Sequence, residues 1–265
     1  MNICFSGGGM KGLAYIGVLR YLEENGTSIN RVSGTSIGSL MAMLISLKFT
    51  SKELEKLATN IELSYLENID INLLFSEYGM DNGDKIIRLL NFLVKFKSIS
   101  VDITFRQLFE LSNIHISFTC CSLNNYSQVI FDHLLTPEYS VVLACKHSMA
   151  IPIIWSLGKE KYIDGCFVNN IPMEILPIPN SIGFYFLNCN SNKEITDFMS
   201  FIEKIVSCSM NKGNNLEKEL LEIKGYKLIG IPCFVSGLDT TFENRRAQIE
   251  SGYNVCVKEL KEYNL

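Results

Sequence analysis

Apolar positions along the chain follow two rhythms, and their alternation predicts the first elements. The short run "NICF" (2 to 5) reads as a strand, and after a glycine run Leu13, Ile16, Leu19 and Leu22 recur at helical spacing until Asn25-Gly26 stops them. "RVSGTS" (31 to 36) reads as a second short strand entering a tight turn, and "IGSLMAMLISL" (Ile37 to Leu47) as a buried helix. Strand, helix, strand, helix within fifty residues favours a sheet covered by helices. Residues 51 to 112 change character, with polar helical patterns such as "SKELEKLATNIEL" and "GDKIIRLLNFLVKF" and few strand signals. This stretch is a candidate helical cap over one edge of the sheet, or else an ordinary helical layer covering it. Strand-like content returns in "HISFTCCSL" and "SQVIFDH", followed by a helix in "EYSVVLACKHSM", a strand ending in a turn in "KYIDG" and a buried strand in "IGFYFL". Helical segments around 195 to 222, an apolar stretch "KLIGIPCFV" and a long amphipathic helix from about Glu243 to Tyr263 complete the pattern. No repeat or low-complexity linker interrupts it.

Composition narrows the function classes. The 265 residues are 47% hydrophobic and 20% charged, which is ordinary globular material with one domain, 1 to 265, as the default. A net charge of −4 supplies no basic field for nucleic acid. Nine cysteines sit at irregular positions without a C-x-x-C pair, mostly inside apolar runs, as small core residues of a protein in a reducing compartment do. Met1 runs straight into "NICFSGGG", which reads as no signal peptide, and the Ile37 to Leu47 run is too short to span a bilayer. Any membrane contact is therefore expected to be peripheral, from the cytoplasm.

The glycines of "CFSGGGMKG" raise the first chemical question, because a glycine run between strand and helix brings backbone N–H groups close to an anion. A P-loop is excluded, since Leu13 stands where its lysine belongs. Gly7, Gly9 and Gly12 do match G-x-G-x-x-G, but the second strand ends in "SGTSIG" where a dinucleotide site needs an acidic residue. That terminus, Gly34-Thr35-Ser36-Ile37-Gly38, is G-x-S-x-G between strand and helix, the setting that exposes a serine Oγ on a sharp turn. The alternative reading is a capping serine in a small-residue turn. The three histidines, His115, His133 and His147, lack a motif that would make one a base for Ser36. Asp164, in "KYIDGCFVNNIP", ends a short apolar strand before a glycine turn, where rigid backbone holds a carboxylate in place. An Asp-Gly turn without chemistry is its alternative.

Three elements in this order, "SGGGMKG", "GTSIG" and Asp164-Gly165, resemble the patatin-like phospholipases, acyl hydrolases with a serine–aspartate dyad and no histidine. "ACKHSMAIPIIW", "DGCFVNNIP" and "RRAQIESGYNVCVKEL" resemble further family motifs, so the likeness spans nearly all the chain outside 51 to 112. It implies a three-layer α/β/α sandwich on a central, mostly parallel sheet. It also implies Ser36 as nucleophile, Asp164 as base, and an oxyanion hole from the backbone of Gly7, Gly8 and Gly9 with the Ile37 N–H. The implied substrate is a phospholipid or other acyl lipid, met by transient peripheral membrane contact, with no metal or cofactor. Departures are Lys11 where arginine is frequent, Cys166 where glycine or alanine is usual, and His147 at a commonly small position. Lys11 keeps a substrate-binding charge without the bidentate fork. The rival to hydrolysis is a nucleotide- or lipid-binding regulatory module using the same glycine loop.

Overall fold

The computed structural model describes residues 1 to 60, 69 to 187, 194 to 234 and 244 to 261. Its centre is a sheet of seven strands. β1 (Asn2–Phe5) is flanked on one side by β2 (Arg31–Thr35) and on the other by β8 (Ser181–Phe186), all parallel. Outward from β2 lies β4 (His115–Ser122), parallel to it, and beyond that β5 (Ser127–Asp132), antiparallel to β4 in a hairpin. Outward from β8 lies β9 (Lys227–Ile231), again parallel. The seventh strand, β7 (Tyr162–Asp164), pairs antiparallel with β4. A two-stranded parallel ribbon of β3 (Gly79–Asp81) and β6 (Ile153–Trp155) stands apart; the sequence pattern gave no sign of it.

The helices are α1 (Ala14–Glu24), α2 (Ile37–Ser46), α3 (Ser51–Asn60), α4 (Leu73–Ser76), α5 (Asp84–Phe96), α6 (Phe105–Ser112), α7 (Val141–Ser148), α8 (Phe198–Ile223) and α9 (Arg245–Leu260). The alternation of β1 explains the layers. Ile3 and Phe5 enter a large core shared with α1, α2, α5, α6, α7 and α9, while Cys4 points to the opposite face, against Ile171, Met173, Leu176 and Leu221 of α8. With helices on both faces, the parallel strands have no solvated side, which is why β1 is buried along its whole length.

The helical stretch 51 to 112 is built into that core. Leu54 of α3, Leu90 and Val94 of α5, and Phe105 and Leu108 of α6 all belong to the large cluster. Around α4 it leaves Ile71, Phe75 and Tyr78 in solvent, and on α5 and α6 Phe92, Phe96 and Leu111. The expectation for α9 is corrected in kind: the helix exists, but its buried face carries Arg245, Gln248 and Ser251 beside Ile249, Cys256 and Leu260, so it is not packed by an apolar stripe. Its expected ends, like Cys189, lie outside the described residues. The other eight cysteines form no disulfide among the described residues; six are buried, Cys233 is half-buried and Cys208 is exposed.

Candidate active site

The register of β4 decides where the two sequence motifs meet. β2 ends on it with Thr35 opposite Thr119. β7 begins pairing at the very next residue, with Asp164 opposite Cys120, and runs toward β2 from the other direction. The two strands thus share one side of β4, end to end, and the residues at the junction are Ser36 and Asp164. The carboxyl ends of the parallel strands are where such sheets place their sites.

Ser36 is the turn between β2 and α2. Its φ of 56° and ψ of −122° lie in a region that side chains with a Cβ avoid, so the elbow is strained, and the flanking glycines make it possible. A Cβ on Gly34 would stand 2.3 Å from the Gly38 backbone, and one on Gly38 would stand 2.1 Å from the Phe5 carbonyl oxygen. A polar cluster holds the bend. The Ser36 N–H donates to Ser148 Oγ at 2.9 Å, Ser148 Oγ donates to the Thr119 carbonyl at 2.7 Å, and Ser39 Oγ lies 2.7 Å from Ser148 Oγ. Thr35 Oγ1 donates to the Asn169 carbonyl at 2.8 Å, tying the same elbow to the chain beyond Asp164.

The Ser36 hydroxyl donates to Asp164 Oδ2 at 2.5 Å. The other oxygen, Oδ1, accepts the Cys166 N–H at 2.9 Å, so the carboxylate is fixed on both sides. Burial raises the Asp164 pKa to about 6, against the bonds from Ser36 and Cys166 that favour the charged form. A carboxylate with a pKa near 6 is a stronger base than a solvated one and is still mostly ionised at neutral pH.

The glycine loop lies alongside. A Cβ on Gly7 would come within 3.1 Å of Ser36 Cβ. The Gly7 N–H, however, donates to Asn170 Oδ1 at 3.0 Å, so this member of the expected donor set is committed to anchoring the loop. Gly8 and Gly9 begin a 3-10 turn (Gly9–Leu13) and Ile37 begins α2, positions where a helix offers no acceptor one turn back. Those three N–H groups are the ones with the geometry of free donors. Lys11 sits half-buried on the 3-10 turn, and its carbonyl accepts from Gln248 Nε2 of α9 at 3.2 Å.

Asn170 belongs to the motif-like stretch "DGCFVNNIP", but nothing in that stretch tells which backbone group it supports. Asn170 is buried, and the adjacent Ile171 N–H donates to Glu217 Oε1 of α8 at 2.9 Å. Burial holds Glu217 at a pKa of about 7. Truncation at Asn170 leaves the Gly7 N–H buried without an acceptor. Asn170→Ala is therefore expected to destabilise the fold by about 1–3 kcal/mol, read as a lower midpoint in urea denaturation.

None of the histidines is a hydrogen-bond partner of Ser36 or Asp164 among the described residues. His115 pairs with Arg31 at the opposite end of β2 and lies 3.5 Å from Asp132. His133 stacks on Phe109 with ring centroids 3.9 Å apart. His147 is buried against Tyr162, where desolvation pulls its pKa down to about 4 and keeps it neutral. The described residues contain no cluster of three metal-ligating side chains, and none of their helices is long and apolar enough to cross a membrane.

Comparison with known proteins gives the family and the fold. A family model described as Patatin-like phospholipase matches residues 3 to 177. The uncharacterized protein R571 of Acanthamoeba polyphaga mimivirus is 27% identical over 235 residues, covering 82% of this chain and 78% of the relative. The probable lipid hydrolase 463L of Invertebrate iridescent virus 6 is 29% identical over 182 residues, covering 66% of this chain and 62% of the relative. In fold, the chain is similar to VipD from Legionella pneumophila, with a TM-score of 0.63 and 17% identity over 98% of this chain. It is also similar to the type III effector ExoU, with a TM-score of 0.55 and 16% identity over 100% of this chain. The chain spans 66% of the first structure and 53% of the second.

Proposed function

The chain belongs to the patatin-like phospholipase family, and we propose that it hydrolyses fatty-acyl esters of lipids through an acyl-serine intermediate. One observation carries this reading: the 2.5 Å bond from the Ser36 hydroxyl to Asp164 Oδ2, formed at a strained elbow beside the glycine loop. Ser36 Oγ attacks the ester carbonyl carbon while its proton passes to Asp164 Oδ2. The carbonyl oxygen, now negative, is held by the N–H groups of Gly8, Gly9 and Ile37, which the α2 N-terminus reinforces. Collapse of the tetrahedral species breaks the bond to the leaving alcohol, which takes the proton from Asp164. Water then adds to the acyl-serine by the same route, with Asp164 as base, and fatty acid leaves. The buried Cys166 N–H bond keeps Oδ1 occupied, so Oδ2 alone handles the proton throughout.

Phospholipid or lysophospholipid is the substrate class of first choice, with neutral glyceride second. Exposed Ile71, Phe75 and Tyr78 give the peripheral apolar contact such a substrate requires, and Lys11 offers one positive charge toward an anionic headgroup. The reading is tested with purified wild-type chain, a fluorophosphonate probe and phosphatidylcholine or lysophosphatidylcholine vesicles. Stoichiometric covalent labelling together with fatty-acid release is the expected result. A chain that neither labels nor releases fatty acid would instead be a lipid- or nucleotide-binding module.

A further inference from the structure

Two buried hydroxyls lie against the backbone of the glycine loop. Ser6 follows β1, Tyr15 stands in the first turn of α1, and neither is exposed. The Tyr15 hydroxyl donates to the Ser6 carbonyl at 2.8 Å, Ser6 Oγ donates to the Gly7 carbonyl at 3.0 Å, and the two hydroxyl oxygens are 3.1 Å apart. Burial raises the Tyr15 pKa well above its ordinary value, so this hydroxyl keeps the proton it donates. Its ring is fixed between Phe5 and Phe186, at centroid distances of 4.4 and 5.0 Å. Each peptide unit is planar and trans, so a bond to its carbonyl also sets where its N–H points. In the Ser6–Gly7 unit both ends are held, the carbonyl by Tyr15 and the N–H by Asn170 Oδ1. In the Gly7–Gly8 unit Ser6 Oγ holds the carbonyl, and the N–H opposite it is that of Gly8. The Gly8 carbonyl in turn accepts the Lys11 N–H at 3.3 Å, which closes the 3-10 turn.

We propose that Ser6 and Tyr15 are positioning residues for the acyl transfer: their hydroxyls hold the Ser6 and Gly7 carbonyls and thereby aim the Gly8 N–H at the oxyanion. The proposal rests on the hydrolase reading above. Adjacent glycines make such a lock necessary. Without side chains, the Gly7–Gly8 unit can rotate as a plane about its flanking bonds at little steric cost. A half-turn would exchange the Gly8 N–H for the Gly7 carbonyl oxygen, and a carbonyl dipole facing a developing negative charge repels it. The Ser6 bond opposes that rotation, and Tyr15 holds the preceding unit from which it pivots. The loop is close enough to the elbow for its orientation to matter. A Cβ on Gly7 would come within 3.1 Å of Ser36 Cβ, and one on Gly12 within 2.3 Å of Ile37 Cγ1. Neither hydroxyl touches substrate in this scheme. Their effect falls on turnover and not on substrate binding, because the negative oxygen they serve develops only on the way to the tetrahedral species.

The test is hydrolysis of p-nitrophenyl butanoate and of its thiono analogue, in which sulfur, a weak hydrogen-bond acceptor, replaces the carbonyl oxygen. Wild type should strongly prefer the oxygen ester. Ser6→Ala is expected to lower kcat on that ester by about ten- to a hundredfold with KM moving less than about threefold, and Tyr15→Phe, which keeps the ring, by about tenfold. The thiono ester should be slowed much less, so the oxygen-to-sulfur ratio falls by about the same factor as kcat. Because both hydroxyls act on one stretch of loop, the double variant should lose little more than Ser6→Ala alone. Rates are counted per fluorophosphonate-reactive site, which removes any loss of folded protein from the comparison. A kcat that falls with an unchanged oxygen-to-sulfur ratio would make the two residues supports of the fold alone, and unchanged kcat in both variants would overturn the proposal outright. In either case turnover by the wild type leaves the hydrolase reading standing. A wild type that hydrolyses neither ester would refute the hydrolase reading, and this proposal with it.

Discussion

Replacing Ser36 with alanine is expected to lower lipid ester hydrolysis by roughly four to six orders of magnitude and to abolish fluorophosphonate labelling. The size of the loss follows from the arrangement. In the proposed mechanism Oγ is the atom that bonds the acyl group, and it is the hydroxyl that donates to Asp164 Oδ2 at 2.5 Å. The glycine-loop donors survive the substitution and account for whatever rate remains. Loss of fold is a separate matter and should be absent: alanine inherits the same backbone conformation, and the Ser36 N–H bond to Ser148 does not involve the deleted atom. Ser36→Gly completes the argument. Glycine adopts a φ of 56° without the penalty that a Cβ brings, so this variant should be as inactive as Ser36→Ala yet more stable by about 1 kcal/mol or more. A stability gain paired with complete loss of turnover, measured by urea denaturation and ester hydrolysis on one preparation, is the signature of strain stored for function. Retention of substantial turnover in either variant would remove Ser36 from the chemistry.

Much of this site was readable in the chain because its pieces are local. A strand ending in Gly-Thr-Ser-Ile-Gly and another ending in Asp-Gly each announce a turn with a reactive side chain on it, and the helices that follow are signalled by their apolar spacing. Their meeting is not local. It depends on two strands pairing with one side of β4 at consecutive residues, a register that no feature of either motif contains. The same holds for the supports. Ser148 reaches Ser36 across 112 residues, Asn170 reaches Gly7 across 163, and Glu217 reaches Ile171 across 46. Periodicity failed in one instructive place. α9 buries Arg245 and Gln248, polar groups with partners at Ala58, Lys11 and Phe234, so hydrophobic spacing misdescribes why it packs. The stretch 51 to 112 left a cap and an ordinary helical layer both open, and its buried residues join the main core and wall an apolar pocket.

Asp164→Asn is the second large effect, at least about a thousandfold in kcat/KM, because an amide cannot take the Ser36 proton. Wild-type activity should show how that proton is handled. With the Asp164 pKa at about 6, kcat/KM falls tenfold per pH unit below it, where a solvated carboxylate would keep the rate flat down to about pH 4. Stability should run the opposite way. The folded state raises this pKa, so folding takes up a proton between the unfolded value near 3.9 and about 6. The associated stability is fully present below about pH 4 and is lost as pH rises through 6. Above that range the ionised, desolvated carboxylate costs the fold on the order of 2–3 kcal/mol relative to its protonated form. Asp164→Asn removes both behaviours together: the residual activity loses its acid limb near pH 6, and stability measured from pH 4 to 8 loses the decline attributable to this group. Glu217, with a pKa of about 7, adds a decline of its own at higher pH, and the comparison of wild type with Asp164→Asn cancels it. An acid limb that persists unshifted in the Asn variant would assign the proton to another group. Because the amide stays uncharged in its buried site, the variant should be at least as stable as wild type at pH 8, so lost turnover cannot be ascribed to unfolding. The proposed base is thus a group the fold would hold more stably as an acid, its ionised form favoured by the Ser36 hydroxyl and the Cys166 N–H on its two oxygens.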